Sequence, residues 1–259
     1  MARETKKSGA RVTRLGPWRL WGGIAAIGAV CVSTAMAARK VREYALTDAQ
    51  FTLSREARDG FSIQGLNYTP RAKVLRVFAG DFDRSVFSIP LAERRRRMLA
   101  IDWVEDASVS RIWPCRLVVR IVERRPVAFV YFRSGVVLID ANGVLLDPPP
   151  QAQFAFPVLS GVREDDTEAR RRERVHCLLR VEEELGAMAQ GVSEVNAADC
   201  ENVRIVTQVN HRAVELLMGD GNFAVRYRNF IRHYPEMLRR SPGAKTFDLR
   251  LADRIAAEE

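Results

Sequence analysis

One run of residues constrains this chain more than any other. Leu20 to Ala38 is a stretch of 19 residues without a charge. As a helix it would extend about 28 Å, close to the ~30 Å hydrocarbon thickness of a bilayer. It is rich in Ala and Gly, with Ile24, Ile27, Val30 and Val32 as its branched apolar members. Trp18 and Trp21 stand where an interfacial aromatic belt belongs. Arg3, Lys6, Lys7, Arg11, Arg14 and Arg19 precede the run against a single acid, Glu4, whereas Arg39, Lys40 and Arg42 follow it. That bias predicts a cytoplasmic N-terminus and an exported remainder. A basic start, a short apolar centre and Ala35-Met36-Ala37 also fit a cleavable signal peptide. Both readings stay open on these features, and both export the rest of the chain.

The formal charge of +9 over 259 residues invites a nucleic-acid reading. The position of the charge opposes it: beyond the N-terminal cluster the basic residues are interleaved with acids, as from Arg170 to Glu184, the pattern of a solvated helix face. Cys31, Cys115, Cys177 and Cys200 are far apart and form no C-x-x-C. Their spacing predicts no metal site, suits small buried side chains, and leaves their pairing open.

Past the apolar run, Arg39 to Asp59 reads as a stalk or a first helix. Phe61-Ser62-Ile63 alternates and Gly65 ends it, which predicts a strand. Thr69-Pro70 has the form of an N-cap and first helical residue before Val74, Leu75, Val77 and Phe78, with Gly80 as a stop. A second helix starts near Pro90, and its Arg94–Arg97 run reads as a wet face. Strands follow over Val104–Ile112, Leu117–Ile121 and Val127–Phe132, and Ala141-Asn142-Gly143 marks a hairpin. Pro126 assigns the third of these to an edge or a strand's first residue. Beyond Pro148-Pro149-Pro150 the pattern predicts a helix from Asp165 to Leu185, strands at 203–209 and 213–218, a helix at 222–240, and a last strand carrying Phe247, Leu249 and Leu251. The fold class is α+β: a β-α-α-β-β module, then a mostly antiparallel β domain with flanking helices.

Residues for catalysis are hard to find. His176, His211 and His233 come with no G-x-S-x-G or H-E-x-x-H motif. Gly80-Asp81-Phe82-Asp83 and Gly219-Asp220-Gly221 read as turns; the latter lacks the third glycine of a dinucleotide fingerprint and the lysine of a P-loop. We therefore expect no enzyme activity, no metal and no cofactor.

Several residues together resemble a known family. Phe61-x-Ile63-x-Gly65 resembles the opening strand of a POTRA module. Arg97, Leu99, Trp103-Val104, Ala107, Val109, Arg111, Trp113-Pro114, Leu117, Val119, Glu123-Arg124 and Pro126-Val127-Ala128 resemble its second half in the bacterial division family FtsQ/DivIB. Leu138-Ile139-Asp140-x-x-Gly143, Pro157-x-Leu159-x-Gly161, Leu217-x-Gly219-x-Gly221, a basic helix with Tyr234-Pro235, and Asp248-Leu249-Arg250-Leu251 are similar to that family's β domain.

The resemblance implies a cytoplasmic tail over 1–19, a retained transmembrane helix over 20–38, a stalk over 39–58, a POTRA domain over 59–130, a β domain over 131–255 and a C-terminal tail over 256–259. It implies a single-pass inner-membrane protein at the division septum, with its bulk in the periplasm. Such a protein is a non-enzymatic scaffold that binds the coiled-coil proteins FtsB and FtsL, meets other divisome proteins through the POTRA module, and helps control septal peptidoglycan synthesis. The family's FtsB contact maps onto the strand at 246–255, with Phe247, Leu249, Arg250 and Leu251 as binding residues; some relatives carry Tyr where this chain has Leu251. A terminal strand of this kind offers unpaired N–H and C=O groups to a partner strand. The alternative is a POTRA-bearing periplasmic chaperone or transport component.

Overall fold

The computed structural model describes residues 17–54, 60–150, 152–251 and 254–258, with backbone alone at 17–26 and 258. Contacts divide the chain into two compact units. One comprises Met1–Ser62, Ala79–Leu91 and Ser110–Val118, the other Ile63–Phe78, Ala92–Val109 and Val119–Glu259.

In the first unit a 31-residue helix, α1 (Pro17–Thr47), runs into a short 3-10 turn at Ala49–Phe51. Asp48 caps that turn by accepting from the Gln50 N–H at 2.9 Å. Leu53 then pairs with the loop at 83–84: its N–H donates to Arg84 O and its carbonyl accepts from Asp83 N, both at 2.9 Å. Ser85 ties the loop to the helix by donating to Ala45 O at 2.7 Å. Arg111 donates from Nε to Val86 O at 2.6 Å and from a terminal nitrogen to Ile89 O at 2.5 Å. Phe51, Leu53, Val86 and Ile89 are buried beneath. Among the described residues no helix is long and apolar enough to cross a membrane. The span expected over Leu20–Ala38 falls on α1, where the side chains of 17–26, like the expected tail up to residue 16, lie outside the described residues.

The module expected from the sequence is present. Strand β1 (Phe61–Gln64), helices α2 (Arg71–Phe78) and α3 (Leu91–Leu99), and strands β2 (Val104–Ile112) and β3 (Arg116–Glu123) follow in order, and the three strands form a sheet in the order β1-β3-β2. Gly65 ends β1 at φ +83°, and a Cβ there would fall 2.0 Å from Ile121 O, so only glycine lets the chain turn at that point. Glu123 receives the backbone N–H groups of Asn67 (3.0 Å), Tyr68 (3.0 Å) and Thr69 (2.6 Å), fixing the turn into α2. Burial acts to raise the Glu123 pKa, and the hydrogen bonds from Thr69, Tyr68 and Asn67 outweigh it, leaving the carboxyl below its ordinary value. The Arg94–Arg97 run divides: Arg94 is buried, while Arg95, Arg96 and Arg97 are exposed, with Arg97 paired to Glu93 and Arg95 to Asp106. The wet-face reading holds for three of the four.

The second sheet has nine strands: β4 (Pro126–Phe132), β5 (Gly135–Asp140), β6 (Leu145–Leu146), β7 (Val158–Ser160), β8 (Val192–Asn196), β9 (Val203–Val209), β10 (Arg212–Gly219), β11 (Thr246–Asp248) and β12 (Ala256–Glu258). Their order is β12-β11-β10-β9-β8-β7-β4-β5-β6. Antiparallel pairs dominate; β4 with β7, β7 with β8 and β10 with β11 are parallel. The boundary expected at residue 130 falls inside β4, a strand of this larger sheet.

Two helices, α4 (Glu168–Leu185) and α5 (Phe223–Arg240), complete the core. Val175, Leu178, Val181 and Leu185 recur at helical spacing and are buried with Phe223, Tyr227, Phe230 and Tyr234 of α5. Strand alternation separates two apolar faces. Ala128, Val130 and Ile139 join the helices, while Leu138 and Leu146 pack with Trp103, Phe129, Phe154 and Phe156. The Trp103 indole N–H donates to Asp147 O at 3.0 Å. Glu184 caps α5 by accepting from Phe223 N at 2.8 Å.

Two readings of the helical region change. The arginines of α4 are not simply solvated: Arg171 donates to Gly143 O at 2.8 Å, Arg172 to Asn142 O at 3.1 Å, and Arg174 pairs with the buried Asp166. A Cβ on Gly143 would come within 2.6 Å of Arg172 N, so the β5–β6 turn meets α4 backbone to backbone. Cys177 and Cys200 are joined in a disulfide, Cα atoms 5.9 Å apart, which replaces the expectation of small buried thiols at those positions. Cys31 and Cys115 are free.

Candidate partner-binding edge

The segment from 246 to 258 builds one end of the nine-stranded sheet. β11 lies parallel to β10, with Thr246, Phe247 and Asp248 opposite Glu215, Leu216 and Leu217. The ladder continues one residue further, as Leu249 N donates to Leu217 O at 3.0 Å. On its other side β11 pairs with β12, Phe247 opposite Ala257. The edge therefore lies one strand beyond the place expected. β11 has neighbours on both sides, and among the described residues the outer side of β12 carries none. Residues 256–258, expected as part of a tail, form that edge strand. Three residues containing two alanines give little strand signal.

The four expected binding residues sort into two kinds. Phe247 is fully buried, its ring 5.1 Å from that of Phe230 and 5.8 Å from that of Tyr234, and Leu249 is buried beside it. These two hold β11 onto the core. Arg250 and Leu251 face outward, and Leu251 is 54% exposed. Arg250 forms a fork on Asp248, Nε to Oδ1 at 2.9 Å and a terminal nitrogen to Oδ2 at 2.6 Å. This bond from Arg250 holds the Asp248 carboxyl below its ordinary pKa, against a smaller opposing effect of burial. Arg226 of α5 reaches the same stretch, donating to Met218 O and, at 3.3 Å, to Arg250 O.

Beside the edge lies an open groove of about 530 Å³, floored by α5 residues Val225, Asn229 and His233 and walled by Leu251, Arg254 and Ile255. Val225 is 49% exposed on a helix whose buried residues are Phe223, Tyr227, Phe230 and Tyr234. The helical spacing of 225, 229 and 233 was a usable sequence signal, masked by the polar residues among them. Elsewhere, among the described residues, no group of three or more His, Cys, Asp or Glu side chains could hold a metal ion.

A three-stranded β-α-α-β-β module followed by a mixed sheet with an open end defines a POTRA-containing protein. Residues 60–124 match the family model described as POTRA domain, FtsQ-type, and residues 128–250 match that of Cell division protein FtsQ/DivIB, C-terminal. Relatives agree. The chain is 34% identical over 201 residues to Cell division protein FtsQ of Koribacter versatilis, covering 75% of this chain and 58% of that one. It is 30% identical over 212 residues to Cell division protein FtsQ of Novosphingobium aromaticivorans, covering 81% and 62%. With the protein of the same name from Alcanivorax borkumensis it shares 27% over 261 residues, covering 95% and 87%. The chain thus spans about three-fifths of the length of the first two. It belongs to the FtsQ/DivIB family of cell-division proteins.

Proposed function

We propose that this chain is a non-enzymatic scaffold of the bacterial division machinery, anchored once in the inner membrane with its folded bulk in the periplasm. The observation that carries the reading is the open outer side of β12 next to the α5 groove. A strand from an FtsB-type coiled-coil partner, itself joined to FtsL, adds there through main-chain hydrogen bonds, and Leu251 and Arg250 select it by side-chain contact. Arg226 and Arg254 give the groove a basic lining suited to acidic residues on the partner. Through that partner the chain takes part in the control of septal peptidoglycan synthesis, and the POTRA module meets other division proteins.

Two further observations support the location. Ile27, Val30, Val32 and Met36 are 60–67% exposed along α1, an apolar surface that water disfavours and lipid accepts. The Cys177–Cys200 disulfide suits an oxidising compartment such as the periplasm.

The test is binding of the full chain in detergent to the purified FtsB–FtsL pair. Leu251→Glu and Arg250→Glu are each expected to weaken binding about tenfold, the scale of one lost interface contact. Unchanged affinity in both variants would reject this edge. A C-terminal reporter active only after export tests the topology separately, and filamentous cells on depletion test the role in division.

A further inference from the structure

Among the described residues, exposed aromatic side chains gather where α1 ends. Tyr44 is 53% exposed, Phe87 43%, Ile112 45% and Trp113 71%. Tyr44, Phe87 and Trp113 surround one buried ring, Phe51, whose centroid lies 5.9 Å from Tyr44, 5.3 Å from Phe87 and 6.2 Å from Trp113. The platform is firmly held. Ser85 bonds to Ala45 of the helix, Arg111 holds the carbonyls of Val86 and Ile89, and Leu53, Val86 and Ile89 are buried below. Nothing in the proposed partner contact uses these side chains.

We propose that this aromatic tip docks on the phospholipid surface, so that the POTRA module is held against the membrane instead of swinging from it; this rests on the reading of α1 as a span. Three features select lipid as the occupant. The helix is continuous from Pro17 to Thr47, with no linker between the apolar run and the tip. Tyr44, six residues past Ala38, lies about 9 Å beyond the hydrocarbon edge at 1.5 Å per residue. The headgroup layer is about 5–8 Å deep on each side, and a tilt of about 20°, ordinary for a single span, lowers one flank of the helix into it. Finally, Tyr and Trp combine an apolar body with a polar tip and concentrate at this depth, and the exposed Arg39, Lys40 and Arg42 on the intervening turns suit lipid phosphates.

The experiment reconstitutes the full chain in nanodiscs of phosphatidylethanolamine and phosphatidylglycerol, with and without brominated acyl chains that quench tryptophan on contact. The W18F/W21F chain keeps Trp113 and Trp103, of which Trp103 is buried. W18F/W21F/W113F keeps Trp103 alone, and W113F keeps Trp103 with both tryptophans at the N-terminal end of the apolar run. Bromolipid is expected to reduce the emission difference between the first two chains about twofold, as for other interfacial tryptophans. Equal differences in brominated and plain discs, with W113F still quenched, overturn the docking and leave the span standing. Failure of W113F to be quenched overturns the span and the docking together.

Discussion

Asp248 and Arg250 form a two-pronged ion pair across a single intervening residue, at 2.9 and 2.6 Å, and the Arg250 N–H also donates to Asp248 Oδ1 at 3.0 Å. The backbone where the chain leaves the core and begins its return to β12 is thus clamped by its own side chains. The conformation that leaves Leu251 exposed is thus set within the chain itself.

Because the folded-state pKa of Asp248 is lowered, the clamp's contribution is fully present above the ordinary carboxylate value and is lost as pH falls through the lowered one. Partner affinity is therefore expected to hold from neutral pH down to about 4 and to drop below it. Asp248→Asn should weaken affinity already at pH 7 and flatten the acid limb. Calorimetric titration at several pH values checks both.

Phe247 and Leu251 are four residues apart and should behave oppositely. Phe247→Ala removes a fully buried ring and is expected to cost about 3–5 kcal/mol of stability. Leu251→Ala, at an exposed position, should cost under about 0.5 kcal/mol while still reducing affinity. Urea unfolding and partner binding, measured on both variants, separate the two effects.

Glu123→Gln exchanges an acceptor of three backbone N–H groups for a neutral amide and is expected to destabilise the POTRA module by about 2 kcal/mol at pH 7. With its folded pKa below the unfolded one, Glu123 stabilises above about pH 4.5 and loses that effect as pH falls through the lowered value. The gap between wild type and variant in urea should therefore close on acidification.

Reducing the Cys177–Cys200 bond, which closes a loop with a sequence separation of 23, is expected to cost about 3 kcal/mol. At roughly 2–4 °C per kcal/mol for a domain of this size, the Tm should fall by about 6–12 °C. The double variant C177S/C200S should melt near the reduced protein and ignore added reductant, as scanning calorimetry would reveal.

Local chemistry explains which elements were legible in advance. Gly65 after β1 and Asn142-Gly143 between β5 and β6 each impose a backbone geometry that few residues tolerate, and each fell where expected, whereas α2 begins at Arg71, one residue after the Pro70 start that the sequence suggests. What escaped was settled by tertiary context. The arginines of α4 carry a solvated-face pattern until a turn 28 residues away supplies carbonyls to Arg171. Two cysteines at a separation of 23 say nothing of pairing until α4 and the turn at 199–202 meet. Phe247 and Leu249 alternate like the buried side of any strand, which they are. Their assignment to a binding surface came from family likeness, whereas the exposed positions nearby are Arg250 and Leu251. The edge itself depends on β12, whose alanines have weak strand preference and acquire order only by lying against β11.

The disulfide reaches beyond stability. Cys177 lies midway along α4, whose arginines grip the β5–β6 turn at one end and whose Glu184 caps α5 at the other. A copy stranded in a reducing compartment would fold without the rivet at the centre of that helix, loosening both attachments together. In an oxidising compartment the bond would brace both attachments together, and its loss would leave α4 and its neighbours more open to proteolysis.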